Sequence, residues 1–188
     1  MIKHGTGGAN TQSGIKYECD VDLATILSKL KGYTIVSSKY SGKGKTSKAY
    51  YVYFNDVKLP IAQIFKQVTI YNFLRDEHDI KWKDFVSAQL KPDDSIYVIK
   101  DNTFFIIEAK SQKIKGSTDE KLQTCDFKKK QWMKIVSRLN WKVEYIYILS
   151  SWFKHKRYND VLNYIQSVGC KYYFDYIDLK QLGLPIPA

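Results

Sequence analysis

The spacing of apolar positions in this chain changes several times, and each change predicts an element. Tyr17, Val21, Ala24, Leu27 and Leu30 recur at helical intervals, so Ile15 to Leu30 reads as a helix that Gly32 stops. Glu18 and Asp22 share one face of it. Tyr33–Tyr40 and Ala49–Phe54 are rich in β-branched and aromatic residues, which predicts a hairpin with a basic tip around Lys43 and Lys45. Ile61, Ile64, Phe65, Val68 and Tyr71 form a second helical stripe, so Leu59 to Leu74 reads as a helix; Asp76 to Leu90 mixes loop and short helix.

Ser95–Lys100 and Thr103–Lys110 are apolar on alternate and intervening positions alike. That pattern predicts a hairpin in the middle of a sheet covered on both sides, turning at Asp101-Asn102. Ser117-Thr118-Asp119-Glu120 matches a capping box for a helix reaching about Leu139 through Leu122, Cys125, Trp132 and Val136. Val143–Leu149 reads as a strand, Asn159–Val168 as a helix closed by Gly169, and Lys171–Ile177 as a last strand. No repeat or linker interrupts the chain. The expectation is one mixed α/β domain over 1–188, with a polar, Gly-rich arm at 1–14 that is flexible or ordered by a ligand.

Charge alters this picture more than composition does. Net charge is +11, which favours a polyanionic partner because neutralised phosphates release counterions. Cys19, Cys125 and Cys170 show no metal-ligand spacing, and the N-terminus lacks an apolar signal core; a reduced, cytoplasmic location is expected. No apolar run approaches the ~20 residues that span a bilayer, so no membrane partner is expected.

Candidate chemistry centres on one hairpin. Six acid-x-Lys triplets occur, and in a lysine-rich chain most follow from composition. Only Glu108-Ala109-Lys110 ends a long apolar strand whose partner is preceded by Pro92-Asp93; Asp56-Val57-Lys58 also ends an apolar strand but lacks the Pro-Asp. If Lys100 pairs with Thr103, Ser95 faces Glu108 and Asp93 faces Lys110. Asp93, Glu108 and Lys110 then share one side of the sheet, and Asp94 takes the other with Ala109. A one-residue slip would exchange the aspartates, so Asp94 stands as the alternative metal ligand. Two carboxylates at one point suit Mg²⁺, a hard cation taking oxygen ligands, and a bound metal lowers the pKa of its water. Lys110 could orient that water, stabilise developing charge, or serve as base. Without a metal the carboxylates repel, which favours a proton on one of them.

On Pro92-Asp93 and Glu108-Ala109-Lys110, the chain resembles the PD-(D/E)XK nucleases, and among them a type II restriction endonuclease. The resemblance implies a restriction-endonuclease-like core over 15–149, ordered α-β-β-β-α-β, with a helical insertion and a C-terminal extension at 150–188. It also implies Mg²⁺, with Mn²⁺ as a substitute, held by Asp93, Glu108 and the Ala109 carbonyl, with Lys110 beside the water and Glu18 as a further acid from the first helix. Gly116-Ser117-Thr118-Asp119-Glu120-Lys121-Leu122 is similar to the segment after the active-site strand in some restriction enzymes. The implied reaction is internal hydrolysis of double-stranded DNA to 5′-phosphate and 3′-hydroxyl ends. A symmetric recognition site would favour a homodimer, though the size suits a monomer equally well.

Lys43 and Lys45 at the hairpin tip, Gln112 and Lys113 beyond the strand, and Lys128, Lys129 and Lys130 on the following helix are candidates for DNA contact. Gly42-Lys43-Gly44-Lys45-Thr46 is similar to a nucleotide-binding loop, but it lies in a hairpin rather than between strand and helix. Two other readings stay open: a repair or junction-resolving nuclease of the same superfamily, and a DNA-binding module without cleavage.

Overall fold

Seven strands among the described residues join in one sheet whose spatial order follows the order of the chain. They are β1 (Tyr33–Ser37), β2 (Ala49–Phe54), β3 (Ala62–Phe65), β4 (Asp94–Val98), β5 (Thr103–Lys110), β6 (Lys142–Leu149) and β7 (Lys171–Phe174). The computed structural model describes residues 23–44, 47–112, 118–175 and 177–187. Strands β1 to β5 pair antiparallel, whereas β5–β6 and β6–β7 are parallel. The helices are α1 (Leu23–Ser28), α2 (Thr69–His78), α3 (Thr118–Leu122), α4 (Cys125–Ile135) and α5 (Asn159–Ser167). Helices α3 and α4 fill the β5–β6 crossover and α5 the β6–β7 crossover, as parallel pairs require.

Alternation along β5 divides the interior in two. Phe104 and Ile106 join Tyr145, Tyr147 and Leu149 of β6 in a core covered by α2, α4 and α5. Phe105, Ile107 and Ala109 face the other way, with Ile146 and Ile148, beneath α1 and the C-terminal Ile177, Leu182 and Leu184. Burial on both faces explains why β5 and β6 read as unbroken apolar runs. The fold is mixed α/β, a mixed sheet flanked by helices.

Three expectations change. The helix expected over Leu59 to Leu74 is a strand, β3, followed by α2. Its apolar residues satisfy a helical period by coincidence, and pairing with β2 on one side and β4 on the other decides for strand. Gln67 then takes a left-handed φ of 54°, and α2 starts only at Thr69, whose hydroxyl donates to the Lys66 carbonyl at 2.9 Å. The helix expected from Ser117 to Leu139 is broken between α3 and α4. There the Thr124 hydroxyl donates to the Lys121 carbonyl at 2.8 Å, a side-chain bond that competes with the helical ladder. The β4–β5 hairpin pairs Val98 with Thr103, not Lys100, because its turn takes four residues with Asn102 at φ 48°. That is a shift of two positions, and an even shift returns every side chain to the face expected of it.

Gly32 makes the turn into β1. Its φ is +83°, its carbonyl accepts from the Asn55 amide at 2.9 Å, and an added Cβ would sit 2.5 Å from Asn55 Oδ1. Gly32→Ala is therefore expected to destabilise the fold by about 1–3 kcal/mol, measured by urea unfolding. An unchanged midpoint would mean that the turn relaxes at no cost.

Candidate active site

A charged cluster closes the β4–β5 hairpin at its open end. Pro92 is buried two residues before β4, where the missing amide is harmless, and its carbonyl accepts from the Gln67 amide at 3.1 Å. Asp93 is the next residue. Its Oδ2 accepts from the Ala109 amide at 2.9 Å, so a side chain takes over from the backbone ladder where β4 runs out.

Glu108 and Lys110 share the β5 face of Phe104 and Ile106, and this brings both to Asp93. Lys110 Nζ lies 3.3 Å from Asp93 Oδ2, 3.1 Å from Glu108 Oε2 and 3.1 Å from the Ala109 carbonyl oxygen. Three oxygens, one from just before β4 and two from β5, thus close round a single cationic nitrogen. Ser95, expected opposite Glu108, pairs with Ile106 instead, and continuing that register sets Asp93 across from Glu108. Asp94 pairs with Ile107 and takes the opposite face, as expected from alternation.

Glu108 is almost fully enclosed, and a carboxylate there needs partners to stay ionised. It has four donor contacts. Besides Lys110, Lys128 Nζ from α4 reaches its Oε1 at 2.8 Å and Oε2 at 3.0 Å, and the Tyr145 hydroxyl from β6 donates to Oε1. Burial pushes the Glu108 carboxyl up, but Lys110, Lys128 and Tyr145 outweigh it and hold the group below the usual carboxylate range. Burial raises Asp93 above its ordinary value, with Lys110 opposing and Glu108 adding to the rise. Lys110 loses some basicity to burial and regains more from Glu108 and Asp93, so its ammonium is favoured. Of the two carboxylates, Asp93 is the one that takes a proton more readily, because it is buried with fewer cationic partners than Glu108.

The donor set fits a hard divalent cation. Asp93 Oδ2, Glu108 Oε2 and the Ala109 carbonyl already converge on one positive centre, and Mg²⁺ binds through one or two carboxylates while keeping waters. No group of three or more His, Cys, Asp or Glu side chains suited to a metal occurs among the described residues. The candidate set consists of two carboxylates and a main-chain oxygen.

The remaining predicted residues are dispersed. Glu18, Lys45 and Lys113 lie outside the described residues, as do Ser117 of the capping box and the arm at 1–14. Lys43 is exposed in the β1–β2 connection. Lys129 donates to the Gly169 carbonyl at 2.7 Å, and Lys130 pairs with Asp126 at 2.7 Å on the surface of α4. Gln112 is buried, and neither atom of its side-chain amide has a hydrogen-bond partner among the described residues.

Two roles escaped the sequence reading. Tyr145 carried a usable signal, because a phenol inside a fully buried strand requires an acceptor. Lys128 carried another: it lies in line with Cys125, Trp132 and Ile135, the residues that α4 buries. A lysine on the buried stripe of a helix needs a carboxylate to meet it. Compared with family models, curated proteins and solved structures, the chain shows no significant match to any.

Proposed function

We propose that this protein is a Mg²⁺-dependent endonuclease that cuts double-stranded DNA at a specific sequence, built on a restriction-endonuclease-like PD-(D/E)XK core. The observation that carries the reading is the meeting of Asp93 Oδ2, Glu108 Oε2 and the Ala109 carbonyl around the Lys110 ammonium, a seat that a metal would take from the lysine. The β4–β5 hairpin, the α3–α4 crossover and parallel β6 support this reading, within a seven-stranded sheet that is larger than the α-β-β-β-α-β order implies. The net charge of +11 supports a polyanionic substrate.

Asp93, Glu108 and the Ala109 carbonyl would hold the metal. When bound, Mg²⁺ would supply a Lewis acid at phosphorus and a more acidic water. Lys110, displaced from that seat but kept close by its place on β5, would act as a positive group beside the reacting phosphate, orienting the attacking water and stabilising charge as it develops. Tyr145 keeps Glu108 in the rotamer that faces Lys110, and its phenol stays protonated because burial and the carboxylate both raise its pKa far above the usual value.

Incubation of plasmid with protein and Mg²⁺ tests the reading. Discrete fragments with 5′-phosphate ends are expected; a smear would point to unspecific cleavage, and retarded but intact DNA would leave a binding module. If about six phosphates are contacted, log affinity should fall with log salt at a slope of roughly −5. A flat salt dependence would contradict an electrostatic interface.

A further inference from the structure

Glu108 is engaged by more positive charge than one carboxylate needs. Lys110 Nζ lies 3.1 Å from its Oε2, and Lys128 Nζ bonds both oxygens, at 2.8 and 3.0 Å. A divalent cation ligated by this group would meet two ammonium ions on the same oxygens, and like charges at such range repel strongly. Lys110 Nζ fills the seat itself and yields it to the metal, and Lys128 remains a second competitor on Glu108 that also has to be drawn off.

The two lysines are held differently, and only Lys128 lies where DNA rather than the metal would draw it away. Lys110 is bound on three sides, by Asp93, Glu108 and the Ala109 carbonyl, and its side chain is 18% exposed. Among the described residues, Lys128 makes its side-chain hydrogen bonds to Glu108 alone. Its side chain is 29% exposed against 7% for Glu108, so Lys128 is the member of the pair more open to solvent. A four-carbon stem rooted on α4 lets that ammonium move without moving the helix.

On the nuclease reading, on which this rests, we infer that Lys128 is a positioning residue that couples DNA binding to metal binding. Its ammonium neutralises Glu108 while no polyanion is present. An arriving phosphodiester offers a competing anionic oxygen at the exposed side; the ammonium transfers to it and the carboxylate becomes available to a divalent cation. By linkage, DNA then raises metal affinity by the same factor by which metal raises DNA affinity. The protein loads its metal preferentially on substrate.

The test compares wild type with Lys128→Met and Lys128→Gln, the second guarding against a folding defect in the first. Mn²⁺ affinity without DNA is read from the spectrum of free Mn²⁺, and duplex affinity is read in chelator across a salt series. Both variants should bind Mn²⁺ about tenfold more tightly than wild type, since Glu108 loses a competitor. Both should bind duplex more weakly, with a salt slope shallower by about one. Lys128→Arg should return both properties toward wild type. A lysine that only braces α4 would not move the two affinities in opposite directions. Variants whose Mn²⁺ affinity equals or falls below that of a wild type that cuts plasmid overturn the inference and leave the nuclease reading standing. A wild type that neither binds Mn²⁺, with or without duplex, nor cuts overturns both.

Discussion

Glu108→Gln is expected to reduce magnesium-dependent DNA cleavage by about a thousandfold or more. The substitution keeps size and shape but replaces a charged ligand with a neutral amide oxygen. A metal contributes several kcal/mol of charge stabilisation to phosphodiester hydrolysis, and each ~1.4 kcal/mol is a factor of ten in rate. DNA binding in chelator should hold or tighten, because Lys110 and Lys128 lose the negative charge they now neutralise and present theirs to phosphate. Loss of cleavage with binding retained separates a chemical defect from an unfolded chain. Some loss of thermal stability accompanies it, since the two ammonium groups give up a buried carboxylate while the Tyr145 hydroxyl keeps an acceptor. Asp93→Asn should show the same pattern less severely at high Mg²⁺, because its Oδ2 also serves the Ala109 amide, a bond that an asparagine oxygen preserves. Cleavage within tenfold of wild type in Glu108→Gln would remove this cluster from the chemistry.

The parts of this arrangement that are legible in the sequence are those that depend on parity. Asp93, Glu108 and Lys110 fall on one face by parity alone, and parity survives an error of two in register; the hairpin register differs from its expected one by that amount without moving one side chain to the wrong side. The same tolerance does not extend to β3. Ile61, Ile64, Phe65 and Val68 recur at helical spacing rather than alternating, and only pairing with the edges of β2 and β4 makes a strand the better use of this segment. The Thr124 break depends on a side chain bonding back to Lys121, a local choice that a helical stripe does not record.

The cluster itself shows a similar division. The hairpin brings its own three residues together, because they are neighbours in a short antiparallel pair. Lys128 and Tyr145 arrive by the β5–β6 crossover, and their meeting with Glu108 depends on the parallel register that sets Ile106 against Tyr145 and on the rotation of α4. Among three consecutive lysines only Lys128 meets Glu108; Lys129 and Lys130 find Gly169 and Asp126 instead. Charge counting cannot separate them. The apolar residues that turn α4 can, and among these Trp132 is the largest.

Trp132→Ala is accordingly expected to be among the most destabilising single substitutions, by about 3–5 kcal/mol. The indole is 1% exposed, stacks on Tyr71 of α2 at 5.5 Å and 18°, and meets the Phe104 ring of β5 edge-on at 5.4 Å. It therefore ties α4 both to a second helix and to the strand that carries Glu108. Neither neighbour can collapse freely into the space left behind: Phe104 is held in the sheet, and the Tyr71 hydroxyl donates to the Leu90 carbonyl at 2.8 Å. Trp132→Phe should lose a smaller part, since a ring remains in the stack. The effect should also reach the site, because α4 has Ile135 and Cys125 as its other buried contacts and, when loosened, no longer fixes the distance from Lys128 to Glu108. In Trp132→Ala, assayed below its melting temperature, Mn²⁺ affinity should therefore shift toward that of Lys128→Met. Chemical denaturation checks the first expectation. A cost under 1 kcal/mol would show that α4 is oriented by other contacts, and the placing of Lys128 would then need a different physical cause.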